Sequence, residues 1–395
     1  MKILYFLFFF LVIQGWTLTV IALSFPKNDT LAVNRPVIER LTGSSIRRYY
    51  LNVDLNTRIA FHSSFINKDD AKSAFRLDYI RLQVEGDITD KIYYKWYQHL
   101  NRSDKAGQTD NMPSSINCLG VGFLLTPHLS TFLGKQYADY GGFEYDANPA
   151  EVYEFSDMGE YMTCFLTGAN LMWQLTPAHE IRFQIVDSRS GSAEEMFGTL
   201  PANVKLAKVP LGYTLNWNGN LYKNRLLTRS SFSLFHEGQH THVYFLTLAT
   251  AWIQKNFNMY ADFMYSLENI DKLGILSDFL QNQDNPERIQ NSSYLSLVSR
   301  ANYRIFPKLN LFIKGMYETA SVTKTDGKHE KGKYRTSYGY QGGIEYFPMK
   351  ENLHFFLMYR GREINYTAKA KHFGVVNTHP QQLSLGLISG LLTLL

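Results

Sequence analysis

Hydrophobic and polar residues alternate along most of the chain after residue 50. In the segment LNVDLNTRIAFH (51–62), Leu51, Val53 and Leu55 begin an apolar set, whereas Asn52 and Asp54 begin a polar one. The same period of two recurs in KIYYKWYQHLN (91–101), FNMYADFMYS (257–266), YLSLVSRANYRI (294–305), LNLFIKGMYET (309–319) and LHFFLMYRGRE (353–363). Because the side chains of a strand point alternately to opposite faces, this pattern predicts strands with one apolar and one polar face.

About sixteen strands are predicted when weaker segments are included. They lie near residues 51–62, 74–85, 91–101, 116–125, 129–135, 165–175, 180–187, 210–218, 223–236, 240–252, 257–266, 293–305, 309–319, 333–346, 353–363 and 380–389. Within residues 75–85 the alternation changes phase between Tyr79 and Ile80, as a β-bulge would require. Short connections such as TPH and FPK alternate with long ones such as 136–164, an asymmetry typical of outer-membrane barrels.

The charged residues distinguish a membrane barrel from a soluble β-sandwich. When the phase of each strand is set by its apolar residues, no charge falls on the apolar face away from the strand ends. An Arg or Lys facing lipid at mid-membrane costs about 2–4 kcal/mol, which explains that distribution. Thirteen basic residues fall on the polar face: Arg58, Arg76, Arg81, Lys95, Arg182, Arg225, Arg229, Arg300, Arg304, Lys314, Arg335, Arg360 and Arg362. The pattern predicts an all-β fold, a transmembrane antiparallel β-barrel whose polar face surrounds a water-filled channel.

Composition agrees with this prediction and removes other classes of protein. The 395 residues are 45% hydrophobic and 19% charged, with a formal charge of +5, so the chain is too apolar for disorder. Beyond the N-terminus no run of eighteen apolar residues occurs, which excludes a helical membrane protein. Two cysteines cannot supply a disulfide framework or a four-ligand zinc site. Cys118 and Cys164 flank the predicted fifth strand, which argues against a disulfide unless a loop draws them together.

The N-terminus carries the features of an export signal. Lys2 precedes an apolar run over residues 3–13, and Val20 and Ala22 suit a small-residue cleavage site. A signal peptide is therefore predicted over residues 1–22, with a membrane anchor as the alternative. Residues 23–45 are polar and contain Pro26 and Pro36, which predicts a linker, and residues 46–395 then form the barrel domain. The predicted location is the bacterial outer membrane, with its lipid as a partner.

The connection 136–164 is the strongest candidate for a functional element. It contains seven acidic residues and no Lys or Arg, and it follows the fifth strand, where general porins fold a loop into the lumen. A constriction is predicted, in which these carboxylates face the inward basic residues across the pore, because rings of charge set selectivity. A solvated surface loop is the alternative. The acidic candidates are Asp139, Glu144, Asp146, Glu151, Glu154 and Asp157, and the pore-lining basic candidates are the thirteen residues above without Arg225 and Arg229.

Two features resemble catalytic sites. The segment HEGQH (236–240) matches the zinc pattern H-E-x-x-H, which needs a helix so that both histidines share one face. Strand alternation on both sides predicts a hairpin tip instead, and a metal enzyme with His242 as third ligand is the alternative. Ser384 and His354 could form a hydrolytic pair, but no nucleophile-elbow motif accompanies them. No P-loop occurs, and the mild basic excess needs no nucleic acid when the arginines line a lumen. The sequence therefore predicts no catalytic residue, cofactor, metal or nucleic-acid partner.

Four segments resemble a known family. They are LDYIRLQVEGDITDKIYYKWYQHLNRS, FLGKQYADYGGFEYDANPAEVYEFSDM, YTLNWNGN and KGKYRTSYGYQGGIEYFPMKENLHFFL. They look like the Bacteroidetes branch of the phosphate-selective porin O and P family, and the resemblance covers most of residues 45–365. It implies a sixteen-stranded outer-membrane porin, commonly a homotrimer, that passes small anions or other solutes.

Two features depart from what the resemblance implies. Phosphate-selective members carry arginines and lysines at the constriction, whereas the connection 136–164 is acidic. Members also tend to end on an aromatic residue, whereas Leu395 is last here. The predicted function is passive diffusion of small hydrophilic solutes or ions, with anions such as phosphate favoured by the basic excess on the polar face. A barrel hydrolase and a surface adhesin that uses its long loops are the alternatives.

Overall fold

The computed structural model describes residues 51–66, 71–102, 112–281, 286–325, 328–349 and 353–394. The predicted signal peptide (1–22), the linker (23–45) and residues 46–50 lie outside this part of the chain. The described residues form sixteen strands, and each overlaps one predicted strand. They are β1 Leu51–Ile66, β2 Lys72–Thr89, β3 Ile92–His99, β4 Ile116–Thr126, β5 Leu129–Tyr137, β6 Phe165–Thr176, β7 His179–Asp187, β8 Leu206–Leu221, β9 Leu226–Gly238, β10 Thr241–Ile253, β11 Phe257–Ile270, β12 Gln290–Phe306, β13 Leu309–Val322, β14 Gly332–Tyr346, β15 Leu353–Tyr366 and β16 Pro380–Leu394.

The sixteen strands form one closed antiparallel barrel, as predicted. Each strand pairs with its neighbours in sequence, and β1 pairs with β16 from Asn52 opposite Leu394 to Ile66 opposite Pro380. In a closed ring the backbone donors and acceptors of every strand find partners, which is what a lipid environment requires of a spanning sheet. Among the described residues, no helix combines the length and the hydropathy needed to cross a membrane.

The two faces of the wall differ as the alternation predicts. Leu215, Ile313 and Leu385 belong to the apolar sets and are exposed on the outside of the ring. Asn216 and Lys314, each adjacent in sequence to one of them, are buried inside. The barrel wall therefore has an apolar exterior and a polar interior.

A bulge on β2 changes the phase of that strand, as predicted, but it lies at Asp78 and not between Tyr79 and Ile80. Arg58 faces Tyr79 while Ile59 faces Leu77, so Asp78 is the extra residue. As a result the side chains of both Asp78 and Tyr79 lie on the interior side, Asp78 in contact with β1 and Tyr79 buried.

One basic residue departs from the predicted pattern, and a second lies at a strand end, which the prediction leaves open. Arg225 was predicted to lie on a strand, but it lies in the turn before β9, because Tyr222, Lys223 and Asn224 all adopt left-handed backbone angles that end β8. Lys135 pairs in register with Leu119 and Thr167 on the outward-facing row, two residues before the end of β5, and it is buried there.

Short helices occur in four connections at one end of the barrel, which we call the loop end. The connection between β5 and β6 contains α1 Phe143–Asp146, a 3-10 turn at Pro149–Glu151 and α2 Asp157–Tyr161. Helix α3 Ala193–Phe197 follows β7, α4 Ile275–Leu280 follows β11, and α5 Ala368–Lys371 follows β15. The opposite end, the turn end, carries the connections on which TPH and FPK lie.

An apolar cluster lies inside the loop end of the barrel. It combines inward side chains of β9 to β13, such as Phe245, Met264 and Tyr294, with Met158 of α2 and Leu276 of α4. Helix α4 and the β5–β6 connection are therefore packed against the same part of the inner wall.

We expect Leu215→Arg to lower the free energy of unfolding in lipid vesicles by about 2–4 kcal/mol, because its guanidinium would face lipid near the middle of β8. Denaturant titration of the refolded barrel, followed by tryptophan fluorescence, measures the change. Leu215→Phe is the matched control, since it keeps the outer surface apolar. Equal stabilities of the two variants would show that Leu215 does not face hydrocarbon.

Candidate functional site

The connection between β5 and β6, residues 138–164, lies inside the barrel, and we call it the inner loop. It leaves β5 and returns to β6, yet its groups bond to side chains of β1, β11, β13, β14 and β15. In a ring of sixteen strands, β13 is eight positions from β5. The inner loop therefore crosses the interior from one wall to the other.

Polar side chains of β7 and β8 hold the beginning of the inner loop. Asp139 Oδ1 accepts a hydrogen bond from Arg182 at 3.1 Å, and the Asp139 amide donates to Gln184 Oε1 at 3.0 Å. Asn216 Nδ2 donates to the Asp139 carbonyl at 3.1 Å. Burial raises the pKa of the Asp139 carboxyl, while the Arg182 guanidinium acts in the opposite direction.

The centre of the inner loop contains a buried ion pair. Glu144 Oε1 lies 2.5 Å from Lys314 Nζ of β13, and both side chains are almost completely buried. The same carboxylate accepts hydrogen bonds from the amide and the hydroxyl of Ser156, so it joins two parts of the loop. Asp262 of β11 accepts the backbone N–H groups of Phe143 and Glu144 at 3.1 and 2.8 Å. One wall cation and one wall anion thus fix α1.

The 3-10 turn of the inner loop is held through its carbonyl groups. Arg58 of β1 donates to the carbonyls of Ala150 and Val152 at 3.1 and 2.7 Å, and Arg300 of β12 donates to that of Glu151 at 3.1 Å. These bonds use backbone oxygens, so the Glu151 carboxylate takes no part in them. Glu151 is exposed and has no ion pair with any described residue.

Aromatic contacts with the barrel wall hold the residues just after the same turn. The Tyr153 ring stacks on Phe312 of β13, with centroids 5.1 Å apart and an interplanar angle of 17°, and it also contacts Phe356 of β15. The Tyr153 hydroxyl donates to Glu345 at 3.0 Å. This part of the loop is therefore packed on the wall as well as hydrogen-bonded to it.

The last acidic residues of the inner loop pair with arginines of β14 and β15. Glu154 lies 3.0 Å from Arg362 and 3.7 Å from Arg360. Asp157 lies 2.9 Å from Arg362 and forms a second ion pair with Arg335. Glu318 of β13 accepts the N–H of Asp157 and lies 3.3 Å from Arg362. Charged wall residues of three adjacent strands therefore fix the start of α2.

The predicted acidic and basic sets are in direct contact with each other. The residues that the structure brings together are Asp139 with Arg182, Glu144 with Lys314, Glu154 and Asp157 with Arg335, Arg360 and Arg362, and the inner-loop backbone with Arg58 and Arg300. Asp146 pairs with Arg229 at 3.0 Å, a wall residue left out of the predicted pore lining. Asp262 and Gln184 hold the loop through its backbone, and no local sequence signal identifies that role.

Four predicted lining residues form no hydrogen bond or ion pair with the inner loop. Arg76, near the loop end, and Arg304, near the turn end, are exposed. Lys95 lies 6.0 Å from the Tyr97 ring centroid. Arg81 is buried between the rings of Tyr79 and Tyr97 and donates to the Tyr137 hydroxyl. Within the described part of the chain none of the four forms an ion pair.

A hydrogen-bonded chain of three side chains joins the first and last strands. His62 Nδ1 of β1 lies 2.8 Å from Ser384 Oγ of β16. His62 Nε2 lies 2.8 and 2.9 Å from the two carboxylate oxygens of Asp78. The pair imagined from sequence, Ser384 with His354, is wrong, because the register places Met358 opposite Ser384 and Ile388 opposite His354. Ser384 is only 2% exposed, and the adjoining cavity of about 10 Å³ has room for one water molecule.

The H-E-x-x-H segment forms a hairpin tip, as its flanking alternation predicts. His236 and Glu237 belong to β9, and the turn to β10 follows Gly238. Glu237 is fully buried and forms ion pairs with Arg189 and Lys272, so it is not free to activate a metal-bound water. Within the described ranges, no three His, Cys, Asp or Glu side chains are grouped as ligands for a metal ion.

The two cysteines are unpaired. Cys118 is buried in β4, and Cys164 lies at the end of the inner loop. Burial raises the pKa of the Cys164 thiol to about 12, which keeps it protonated and unreactive at neutral pH.

A family model and several solved structures resemble this chain. The model of the phosphate-selective porin O and P family matches residues 51–388, so the chain belongs to that family, as the sequence segments predict. The Bacteroidetes branch stays a prediction. The search of curated proteins gives no significant match.

Several similar solved structures are outer-membrane proteins. The outer membrane channel DcaP of Acinetobacter baumannii aligns with a TM-score of 0.58 and 10% identity, over 87% of this chain and 96% of that one. Outer-membrane expressed OmpT of Vibrio cholerae has a TM-score of 0.54 at 10% identity, over 87% and 97%. Salmonella typhi OmpF, in a complex with daunomycin, has a TM-score of 0.53 at 14% identity, over 86% and 97%. Family and fold together support an outer-membrane channel for small solutes.

Lys314→Met would leave the Glu144 carboxylate buried without its cation, a change that typically costs about 3–5 kcal/mol. We expect faster hydrogen exchange at residues 143–157 and a broader distribution of single-channel conductance. Adding Glu144→Gln should restore part of the protection, because the unpaired charge is then removed.

Lys328→Met is the matched control for this experiment. It breaks an exposed pair with Glu287, and such surface pairs contribute about 0–1 kcal/mol. If Lys314→Met and Lys328→Met left exchange in the inner loop equally unchanged, the buried pair would not fix the loop.

Proposed function

We propose that this protein is a passive porin, through which small hydrophilic solutes and ions cross the outer membrane. The observation that carries the proposal is the inner loop, which crosses a sixteen-stranded barrel and is fixed to the far wall by ion pairs. A barrel of sixteen strands leaves an aqueous channel. A loop fixed inside the barrel narrows that channel. In this proposal the inner loop with its acidic residues is the constriction, and the inward basic residues line the path beside it.

We further propose a modest preference for anions. Most carboxylates of the inner loop already bind wall cations, so they contribute little net charge to the path. Of the predicted pore-lining bases, Arg76, Arg81, Lys95 and Arg304 have no ion pair in the described ranges, and Glu85, Glu151 and Glu160 are acids without one. Asp262 and Glu268 also lack an ion pair, but both are buried and accept backbone N–H groups. The proposal does not extend to a dedicated phosphate site, because most bases near the inner loop are occupied by carboxylates.

A hydrolase has one observation in its favour, the chain of Asp78, His62 and Ser384. A general base beside a serine hydroxyl is the arrangement that activates a nucleophile. The burial of Ser384 and the size of the adjoining cavity leave no room for an ester beside it, so we favour the channel. The surface adhesin and the homotrimer stay predictions.

Conductance in planar bilayers separates the channel from the hydrolase. We expect the purified protein to give stable ohmic conductance, and ester hydrolysis, if any is measured, to be the same in wild type and Ser384→Ala. Absence of conductance together with hydrolysis that disappears in Ser384→Ala would replace the channel with the enzyme.

Reversal potentials under a KCl gradient test the anion preference. We expect the reversal potential of the wild type to lie on the chloride side. Lys95→Glu and Arg304→Glu should each shift it toward the equilibrium potential of potassium, because each places a negative charge on the path. Lys205→Glu, at an exposed position of the β7–β8 connection, is the charge-matched control and should not shift it. A wild-type potential on the potassium side would exclude the anion preference while leaving the channel itself intact.

A further inference from the structure

Two imidazole rings stand side by side at the tip of the β9–β10 hairpin. His236 of β9 is directly opposite His242 of β10, and their ring centroids are 5.2 Å apart at an interplanar angle of 39°. His236 also pairs with Leu211 of β8, which belongs to the outward-facing row. The two histidines therefore lie on the outside of the barrel at its loop end, away from the lumen.

The surroundings of these rings leave their nitrogens without strong partners. His242 Nδ1 is inaccessible to solvent and has no hydrogen-bond partner. Neither histidine forms an ion pair with a carboxylate in the described part of the chain, and Glu237, the acidic residue of the same tip, is held inside the wall by Arg189 and Lys272. A buried ring nitrogen without a partner is unusual, since such groups normally bind a donor, an acceptor or a metal ion.

We propose that His236 and His242 form a two-histidine binding site for a divalent transition-metal ion of the Cu²⁺ or Zn²⁺ class. Two nitrogens bound to one ion lie within about 4.2 Å of each other, because each metal–nitrogen bond is about 2.0–2.1 Å long. Rings at 5.2 Å on directly opposite residues can bring two nitrogens to that distance by side-chain rotation alone. Water completes the coordination, so the ion is bound reversibly.

This site differs in kind from the zinc site that the H-E-x-x-H pattern suggests. That pattern uses the first and last histidine of the motif, His236 and His240, on one face of a helix. Here the strand register pairs His236 with His242 across the hairpin, and His240 lies in the turn with a left-handed backbone, φ 57°. The proposed site has no glutamate base and supplies no hydrolytic chemistry.

Copper(II) titration of the folded barrel in detergent, followed by electron paramagnetic resonance, tests the site. We expect one equivalent of Cu²⁺ to show hyperfine coupling to two imidazole nitrogens. His236→Asn and His242→Asn should each lose the two-nitrogen signal, because a single imidazole remains. Zn²⁺ should displace Cu²⁺ only in large excess, since copper binds nitrogen sites more tightly.

Two variants serve as controls. His128→Asn removes an exposed histidine from the turn end and should leave the signal unchanged. His240→Asn should also leave the two-nitrogen signal unchanged. Loss of the signal in this variant would make His240, and not His242, the second ligand and would overturn the cross-strand site. A two-nitrogen signal that persists in the His236→Asn, His242→Asn double variant would place the copper elsewhere and also overturn the proposal.

Discussion

The exclusion of charge from the lipid face is the constraint on which the rest of this structure depends. Because an ionised side chain facing mid-membrane hydrocarbon is unfavourable by several kcal/mol, nearly every charged residue of the strands lies on the interior side. Twelve of the thirteen basic residues assigned to the polar face lie on strands there, and Arg225 lies in a turn. Sixteen strands thus enclose a high density of guanidinium and ammonium groups, which repel one another in a confined space. A barrel built under this constraint needs anions inside it, from the wall or from a loop.

The inner loop meets that need, and this explains why an acidic segment crosses a lumen lined with bases. Glu144 and Asp157 are each buried beside cations of β13, β14 or β15, where an unpaired ion would be strongly unfavourable. The same pairing reduces the electric field that free carboxylates would have produced across the pore. Selectivity therefore depends on the few charges that remain unpaired, such as Lys95, Arg304 and Glu151, and not on the total number of charges in the loop.

Local alternation was enough to predict the sixteen strands, a bulge close to Tyr79 and the polar-face position of twelve of the thirteen assigned bases, because these properties are fixed by neighbouring residues. It could not predict which loop residue meets which wall residue. The contact of Glu144 with Lys314 joins residues 170 positions apart, and it depends on how the barrel closes. The prediction that Ser384 pairs with His354 fails for the same reason. Ser384 meets His62 instead, because the register of β16 against β1 places these two residues opposite each other. The acidic composition of the loop indicated attraction to the wall, but composition cannot distinguish charges that face each other across water from charges in contact.

Register also determines what the histidines of the β9–β10 hairpin can do. A sequence pattern assigns His236 and His240 to one face, because it assumes 3.6 residues per turn, whereas a hairpin places residues on one face by their distance from the turn. Because His236 is opposite His242, the two residues form a cross-strand pair outside the barrel. Glu237 points inside, to Arg189 and Lys272. Adjacent residues of one strand thus belong to two environments, and a motif that needs them together cannot form. The alternation that keeps charge out of the lipid is therefore also what separates this hairpin from a catalytic zinc site.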